Sequence, residues 1–310
     1  MAGGSLSGEN SDESVTGQHP GRPAVGFSRP NPAQIRADGY FPADMHFHTF
    51  HSDGSVSIPS LLRHIKNHGA GCAVTDHNEV SGAIAACSER EGQLLIPGIE
   101  ISTLDGPHIL VYFYSPGDLK DFFCRHIEPA RRESPWMLTT LTSSDVLEAA
   151  EGYACLRAPA HPYGYLMFNS GLAKCIEKGY IDESLYGHCD LIEGICANMQ
   201  HRENLRAVAL AARLGLPVTG GSDGHVITDL GSSVTCTTSE DPADFLDELR
   251  KGRAKVIGRE NHLPSKVITA AVITARFLPW LGPSVRIHCE RTIGRVSRYM
   301  SQRSGKKPEQ

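Results

Sequence analysis

The run GCAVTDH, residues 71–77, decides how this chain is read. Its first four residues are small or apolar, as a strand covered on both faces requires, and its last three are polar. A helix is predicted over 80–91. Strand, polar turn and helix make one βα unit, in which chemistry-bearing side chains stand at the C-terminal end of the strand.

The same form recurs outward from this unit. LLIPGIEIS (94–102), HILVYFY (108–114), YACLRAPAH (153–161), CDLIEGI (189–195), LPVTGGSD (216–223) and AKVIG (254–258) read as strands. Helices are predicted over 58–68, 144–150, 203–214 and 242–251, the last opened by Asp241 as N-cap with proline in its first turn. From about Tyr40 onward the spacing predicts an α/β barrel around a parallel sheet. Residues 115–142 and 164–187 break the rhythm and are read as insertions or long βα loops, where substrate-shaping residues reside.

The length of 310 residues fits one large domain with tails. Residues 1–39, rich in Gly, Ser, Pro and Asn, are expected to be a disordered leader without the apolar core of a signal peptide. Residues 40–262 form the barrel, and 263–310 a helical extension and tail. The net charge of -5 argues against a surface that coats nucleic acid. Nine cysteines without a C-x-x-C pair disfavour a thiolate zinc site or a secreted disulfide framework, so a reducing cytoplasm is expected. No apolar run reaches the roughly eighteen residues that span a bilayer. VITAAVITARF (267–277), followed by Pro279 and Pro283, is expected to pack as a helix on the domain. A membrane-surface or partner-binding role is the alternative, because RIHCERTIGRVSRYM beyond it is basic and amphipathic.

Metal-affine residues recur at the predicted strand ends. DMHFHTFHSDG (44–54) holds His46 and His48, which alternation on an extended segment places on one side, and Asp53 beside Gly54, which permits a tight turn. TDH supplies His77. PGIEIS carries Glu100 within an apolar run, where an unpaired carboxylate is costly and a metal is its natural partner. GPHIL gives His108, APAHPYG gives His161, and GGSDGH gives Asp223 and His225. Six histidines and three carboxylates make a ligand set for up to three ions. Each piece alone is weak, but none of the nine falls in a predicted helix.

The order H-x-H-T-x-x-S-D-G, T-D-H, G-x-E-I, a histidine opening the next strand, A-H-P and G-S-D-x-H resembles the PHP (polymerase and histidinol phosphatase) metal-dependent phosphoesterases, motif by motif from His46 to His225. Within that family it is most similar to stand-alone enzymes acting on nucleotide or short oligonucleotide phosphates, some from the 5′ end. The resemblance implies a distorted (βα)7 TIM-like barrel with a trinuclear metal site at the C-terminal ends of the strands. His46, His48, Glu100 and Asp223 would hold one ion, Glu100, His108 and His161 a second, and Asp53, His77 and His225 a third. The interval between His108 and His161 is shorter than in relatives with a helical insert there.

Such a set of Zn, Mn or Fe ions would make an electropositive pocket in an acidic chain and activate a bridging hydroxide for attack on a phosphorylated small molecule or short oligonucleotide. Because imidazole ligates only when neutral, chelation or acid should abolish hydrolysis. An amidohydrolase-like metal hydrolase and a metal-stabilised binding module are the alternatives. Arg202, after the CDLIEGI strand, is the candidate phosphate grip, against a solvated helix arginine; Arg157 is a weaker second choice. His64 and His68 have i, i+4 spacing but no third ligand, and read as a surface helix end capped by Gly69.

Overall fold

The computed structural model describes residues 24–166 and 169–290. Its strands in chain order are β1 (Ala24–Gly26), β2 (Phe41–Phe47), β3 (Gly71–Val74), β4 (Leu95–Ser102), β5 (His108–Phe113), β6 (Cys155–Pro159), β7 (Tyr165–Leu166), β8 (Asn169–Ser170), β9 (Ile192–Cys196), β10 (Val218–Gly221), β11 (Ser233–Thr237) and β12 (Lys255–Gly258). The helices are α1 (Pro32–Ala37), α2 (Ile58–His68), α3 (Ser81–Glu89), α4 (Pro116–Phe122), α5 (Ser143–Ala150), α6 (Leu172–Glu177), α7 (His201–Leu214), α8 (Pro242–Arg250) and α9 (Leu263–Phe277).

Eight strands form one sheet in the order β1-β12-β11-β2-β3-β4-β5-β6, curled into a half-barrel. β9 and β10 make a separate parallel pair across its open side. Asp190 and Leu191 donate backbone N–H groups to Arg157 O at the β6 side, and Asp223 N donates to His46 O at the β2 side. β2, β3 and β4 run parallel, whereas β5 is antiparallel to both β4 and β6. This departs from the uniform βα rhythm for a physical reason: only residues 103–107 join β4 to β5, too few for a crossover and enough for a hairpin. β11, antiparallel to β2 and β12, was not among the predicted strands.

The leader expected over residues 1–39 is a correction in part. From Ala24 the chain is structured: β1 pairs with β12, and α1 is capped by the Asn31 side chain. Residues 1–23 and 291–310 lie outside the described residues.

Alternation along the strands sorts the core into two layers. Cys72, Val74, Leu95, Ile99, Ile101, Ile109, Val111 and Phe113 face the helices. Ala73, Leu94, Ile96, Leu110, Tyr112, Leu156, Ala158 and Leu191 face the concave side, closed at one end by Phe245, Leu246 and Leu249 of α8. The concave files end in polar residues: Leu94 and Ile96 lead to Glu100, Tyr112 and Leu110 to His108, and Leu191 to Glu193. The sheet that buries the apolar core thus delivers the polar groups to one end.

Beyond α9 the chain stays helical to Glu290, 28 residues in all. By length and composition this helix could cross a membrane, contrary to the reading of residues 267–277 as too short. Its inner side is tied to the domain: Ser265 and Thr269 bond Asp229, Lys266 donates to Met199 O at 2.8 Å, and Arg132 pairs with Glu290.

Candidate metal centre

All nine side chains singled out from the sequence are buried and meet at the open end of the half-barrel. Glu100 is the hub. One carboxylate oxygen lies 2.9 Å from Nδ1 of His108 and 3.2 Å from Nε2 of His161. The other lies 3.2 Å from Nε2 of His46, 3.3 Å from Nε2 of His48 and 3.0 Å from Nδ1 of His77. Asp223 stands 3.1 Å from His48 Nε2 and 3.5 Å from His46 Nε2. Asp53 stands 3.3 Å from His225 Nε2 and 3.8 Å from both His77 and His48.

Three groups have ligand atoms close enough to share an ion: His46, His48, Glu100 and Asp223; His48, Asp53, His77 and His225; and His77, Glu100 and His108. The first matches the set implied by the resemblance, and the second adds His48 to it. In the third, His77 stands where His161 was expected, while His161 still touches Glu100.

The local backbone is built for this convergence. Among the described residues only Asn78, His161 and Asp223 are non-glycine residues with positive φ (49°, 29° and 52°), and all three stand in the turns after site strands. Such strain persists only where the surroundings enforce it. Gly54 is required less for its own dihedrals than for space: a Cβ there would lie 2.5 Å from His48 O and 2.9 Å from Thr49 O. Asp76 accepts from Thr49 N, Thr49 Oγ1 and Ser52 Oγ at 2.7, 2.6 and 2.7 Å, pinning the turn that presents Asp53.

The electrostatics fit cation binding. Burial works to raise the carboxyls of Glu100, Asp53 and Asp223, yet the surrounding imidazoles hold all three well below the usual range. Burial works to lower His46 and His77, but the charges of Glu100 and its neighbours prevail, and His77 reaches about 9. His108 is the exception: burial outweighs Glu100 and takes it down to about 4. Protons therefore stand in for positive charge that a metal would supply. His48 Nδ1, Glu100 Oε2, His108 Nε2 and His225 Nε2 are buried without a hydrogen bond, although several face an oppositely charged atom. Buried polar atoms left this way are rare in proteins, and as metal ligands they would be satisfied. The residues present fit divalent ions.

Several functional residues were not read from the sequence. Glu193, buried in β9, accepts from His46 Nδ1 at 2.9 Å and from the backbone N–H of His161. His225 Nδ1 likewise donates to Asp223 O at 2.9 Å. In each case the supported nitrogen leaves Nε2 facing the cage, as outer partners of metal-ligating histidines do. Glu193 carried the signal that revealed Glu100, a lone carboxylate in an apolar run.

Arg276 of α9 donates to Ser52 O at 2.8 and 3.2 Å and to Phe50 O at 2.6 Å, with its guanidinium 4.1 Å from the Phe50 ring centre and 5.1 Å from that of Trp136. Arg202 is exposed in the first turn of α7, close in sequence to Asn198, which donates to Asp223 O. Arg157 is committed elsewhere, paired with Asp190 at 2.8 Å. His64 and His68 stack on each other at the end of α2, where Gly69 has φ 76°.

A PHP-associated family model matches residues 201–254, the stretch that carries Asp223 and His225. No curated protein matches. Among solved structures, an endonuclease Q bound to a 27-mer duplex with an abasic lesion at its active site is 17% identical with a TM-score of 0.55, over 71% of this chain and 60% of that one. The lesion-specific endonuclease of Pyrococcus furiosus gives 17% and 0.52, over 70% and 57%. A two-domain protein from Bacteroides vulgatus with a PHP-like metal-dependent phosphoesterase gives 16% and 0.50, over 77% and 69%. These likenesses establish a shared fold, and this chain spans about three-fifths of either endonuclease. The PHP-associated family model thus covers the stretch that carries two of the caged side chains, and the fold is similar to that of PHP-like metal-dependent phosphoesterases.

Proposed function

We propose that this protein is a divalent-metal-dependent phosphoesterase acting on nucleotide or short oligonucleotide phosphates. Two or three ions, Zn, Mn or Fe, would be held by His46, His48, Asp53, His77, Glu100, His108, His161, Asp223 and His225. One observation carries the reading: the buried Glu100 carboxylate has five imidazoles within 3.3 Å. A carboxylate caged by that many titratable nitrogens is costly for a structural core and natural for a multinuclear centre.

Held there, divalent ions would supply Lewis-acid charge for phosphate-ester hydrolysis by water. The chain's own residues do the rest. Glu193 and the Asp223 carbonyl fix the His46 and His225 rings, Asp76 fixes the Asp53 turn, and the concave apolar layer keeps water from the far side of the cage. Arg202 is the proposed phosphate contact at the rim. The β9–β10 pair is read as closing the half-barrel toward a (βα)7 ring.

Endonuclease Q, bound to a lesion-bearing duplex, supports a nucleic-acid phosphodiester as substrate class. The net charge of -5 favours a short substrate over a long duplex, since duplex binding rests on neutralising many phosphates. The test is metal analysis of the purified chain together with a hydrolysis screen over nucleotides, cyclic nucleotides and short oligonucleotides, with Glu100→Gln as control. Metal retention and phosphate-ester hydrolysis, both lost in the variant, are expected. Full activity after exhaustive chelation, or no turnover of any phosphate ester by the metal-loaded protein, would overturn the proposal.

A further inference from the structure

The helix over Leu263–Glu290 has two unlike sides. Thr269 and Ile287 are its buried residues, and Ser265, Arg276 and Ser284 bond the domain from the same side. On the opposite side, at helical spacing, stand Leu263, Val267, Leu278, Leu281 and Val285, between 54% and 75% exposed, with Ile268 at the edge. The same stripe carries Thr274 and Ala271 and no charged residue. A helix of this length runs about 42 Å, so the stripe is a long apolar band of the kind soluble monomers rarely leave uncovered.

The sequence that follows names its cover. Residues 291–310 hold Arg291, Arg295, Arg298, Arg303, Lys306 and Lys307 against the single acid Glu309, a net charge of +5. The whole chain is -5, so residues 1–290 carry -10. Positive charge is thus concentrated next to the apolar band; residues 250–259 also carry +5 but adjoin no such band. An apolar helical stripe with an adjoining basic segment matches the surface of a bilayer that contains anionic lipid: side chains enter the acyl boundary while Arg and Lys meet the headgroups. A second copy of this chain, with its own stripe and its acidic residues 1–290, is the rival occupant that the test below separates from lipid.

We propose that the C-terminal helix docks this protein on an anionic membrane surface through Leu263, Val267, Leu278, Leu281 and Val285. The helix lies on the surface and does not cross it. Crossing would strip the bonds of Lys266, Thr269 and Arg276 to the domain and carry Lys266, Arg276, Arg286 and Glu290 into hydrocarbon. Docking by the outer face leaves the inner face on the rim of the metal centre, where Arg276 holds the carbonyls of Phe50 and Ser52.

The test is co-sedimentation of the full chain with phosphatidylcholine vesicles, with and without about one-third phosphatidylserine. Binding at least about tenfold tighter to the anionic vesicles, weakened by high salt, is expected. Leu278→Ser combined with Leu281→Ser and Val285→Ser should reduce that binding at least about tenfold, with circular dichroism and metal content unchanged. Arg295→Gln with Arg298→Gln should reduce the preference for anionic lipid while preserving the fold. Absence of binding to either vesicle, equal binding to both, or wild-type binding by the triple variant overturns the proposal. So does a wild-type dimer, seen by sedimentation velocity without lipid, that the triple variant converts to monomer, because the stripe then belongs to a second copy. None of these outcomes depends on hydrolytic activity, so they are separable from the assignment of the metal centre.

Discussion

Replacing Glu193 by glutamine probes the metal centre from outside its ligand set. Glu193 uses its two carboxylate oxygens separately, one accepting from His46 Nδ1 at 2.9 Å and the other from the backbone N–H of His161. Glutamine keeps the shape but offers one oxygen and one NH2 group. If its oxygen stays with His161, the amide nitrogen faces His46 Nδ1, which can then bond only as an acceptor, with the ring proton moved to Nε2. That nitrogen lies 3.2 Å from Glu100 and 3.2 Å from Nε2 of His48 at the heart of the cage, and once protonated it ligates nothing. If the oxygen stays with His46, a buried N–H faces another donor at a cost of about 1–3 kcal/mol. Loss of an outer partner of a ligating histidine typically costs about 10- to 100-fold in metal affinity, or about 1.4–2.7 kcal/mol. The assay is competition of the apo protein against a chromophoric chelator, with metal content measured after dialysis. Glu193→Gln should bind about 10- to 100-fold more weakly with an unaltered circular dichroism spectrum. An affinity within about twofold of wild type would refute the reasoning.

Zn or Mn added at about 100 times its dissociation constant should stabilise the protein by about 2.7 kcal/mol per site, raising Tm by about 4 °C for each site filled; an unchanged Tm in differential scanning calorimetry would deny the cage its cation. Gly54→Ala drives a Cβ to 2.5 Å from His48 O and 2.8 Å from His48 C. Overpacking of that kind costs about 1–3 kcal/mol, and metal binding should weaken with it, whereas Gly187→Ala, with nothing within 4 Å, should be silent in both measurements. Arg202→Ala should raise KM about tenfold with metal content intact, as loss of a charged hydrogen bond predicts. Arg157→Gln, which breaks the pair with Asp190, should lower Tm and leave KM unchanged. Arg276→Ala frees the carbonyls of Phe50 and Ser52 beside Asp53, so elemental analysis should show loss of about one ion, taken from the group of His48, Asp53, His77 and His225, while the ion at His46 and Glu100 stays.

The nine cage residues were legible because each belongs to a short motif in or beside a strand, and such motifs along one edge of a curled sheet converge whatever the detail of the helices. Glu193 was equally legible in kind, since LIEGI places a carboxylate in an apolar strand just as GIEIS does. It went unread because no histidine stands beside it in sequence. His46 and His161 reach it from 147 and 32 residues away. The reversal of β5 was written in the short segment 103–107 with its Asp105-Gly106 turn, a hairpin signal that the expectation of uniform βα units overrode. The commitment of Arg157 was not legible, because Asp190 lies 33 residues on and only the approach of β9 to β6 brings the two together. β1 and α1 were hidden by the polar composition of the segment around them: α1 buries a single residue, Ile35, and leaves no periodic stripe.

Charge balance explains why so polar a cage survives in a folded core. Asp44, Asp53, Asp76, Glu100, Glu193, Asp223 and Asp229 are all buried, and among the described residues no lysine or arginine is. Neutralising that much charge falls to hydrogen bonds, to protons on imidazole, or to metal. Asp44 shows the limit of the first: despite N–H groups from His46, Ser222 and Gly231, burial pushes it up to about 6. Asp53, Glu100 and Asp223 are held low instead, by the imidazoles that surround them. A histidine can give its proton to solvent and its lone pair to a divalent ion without moving, so the fold that is held together by imidazole–carboxylate contacts is the same fold that would hold a metal. Lysine at any of these positions would balance the charge permanently and close the site to a cation. Histidine leaves the positive charge exchangeable, and this is the property that a hydrolytic centre requires and a purely structural core does not.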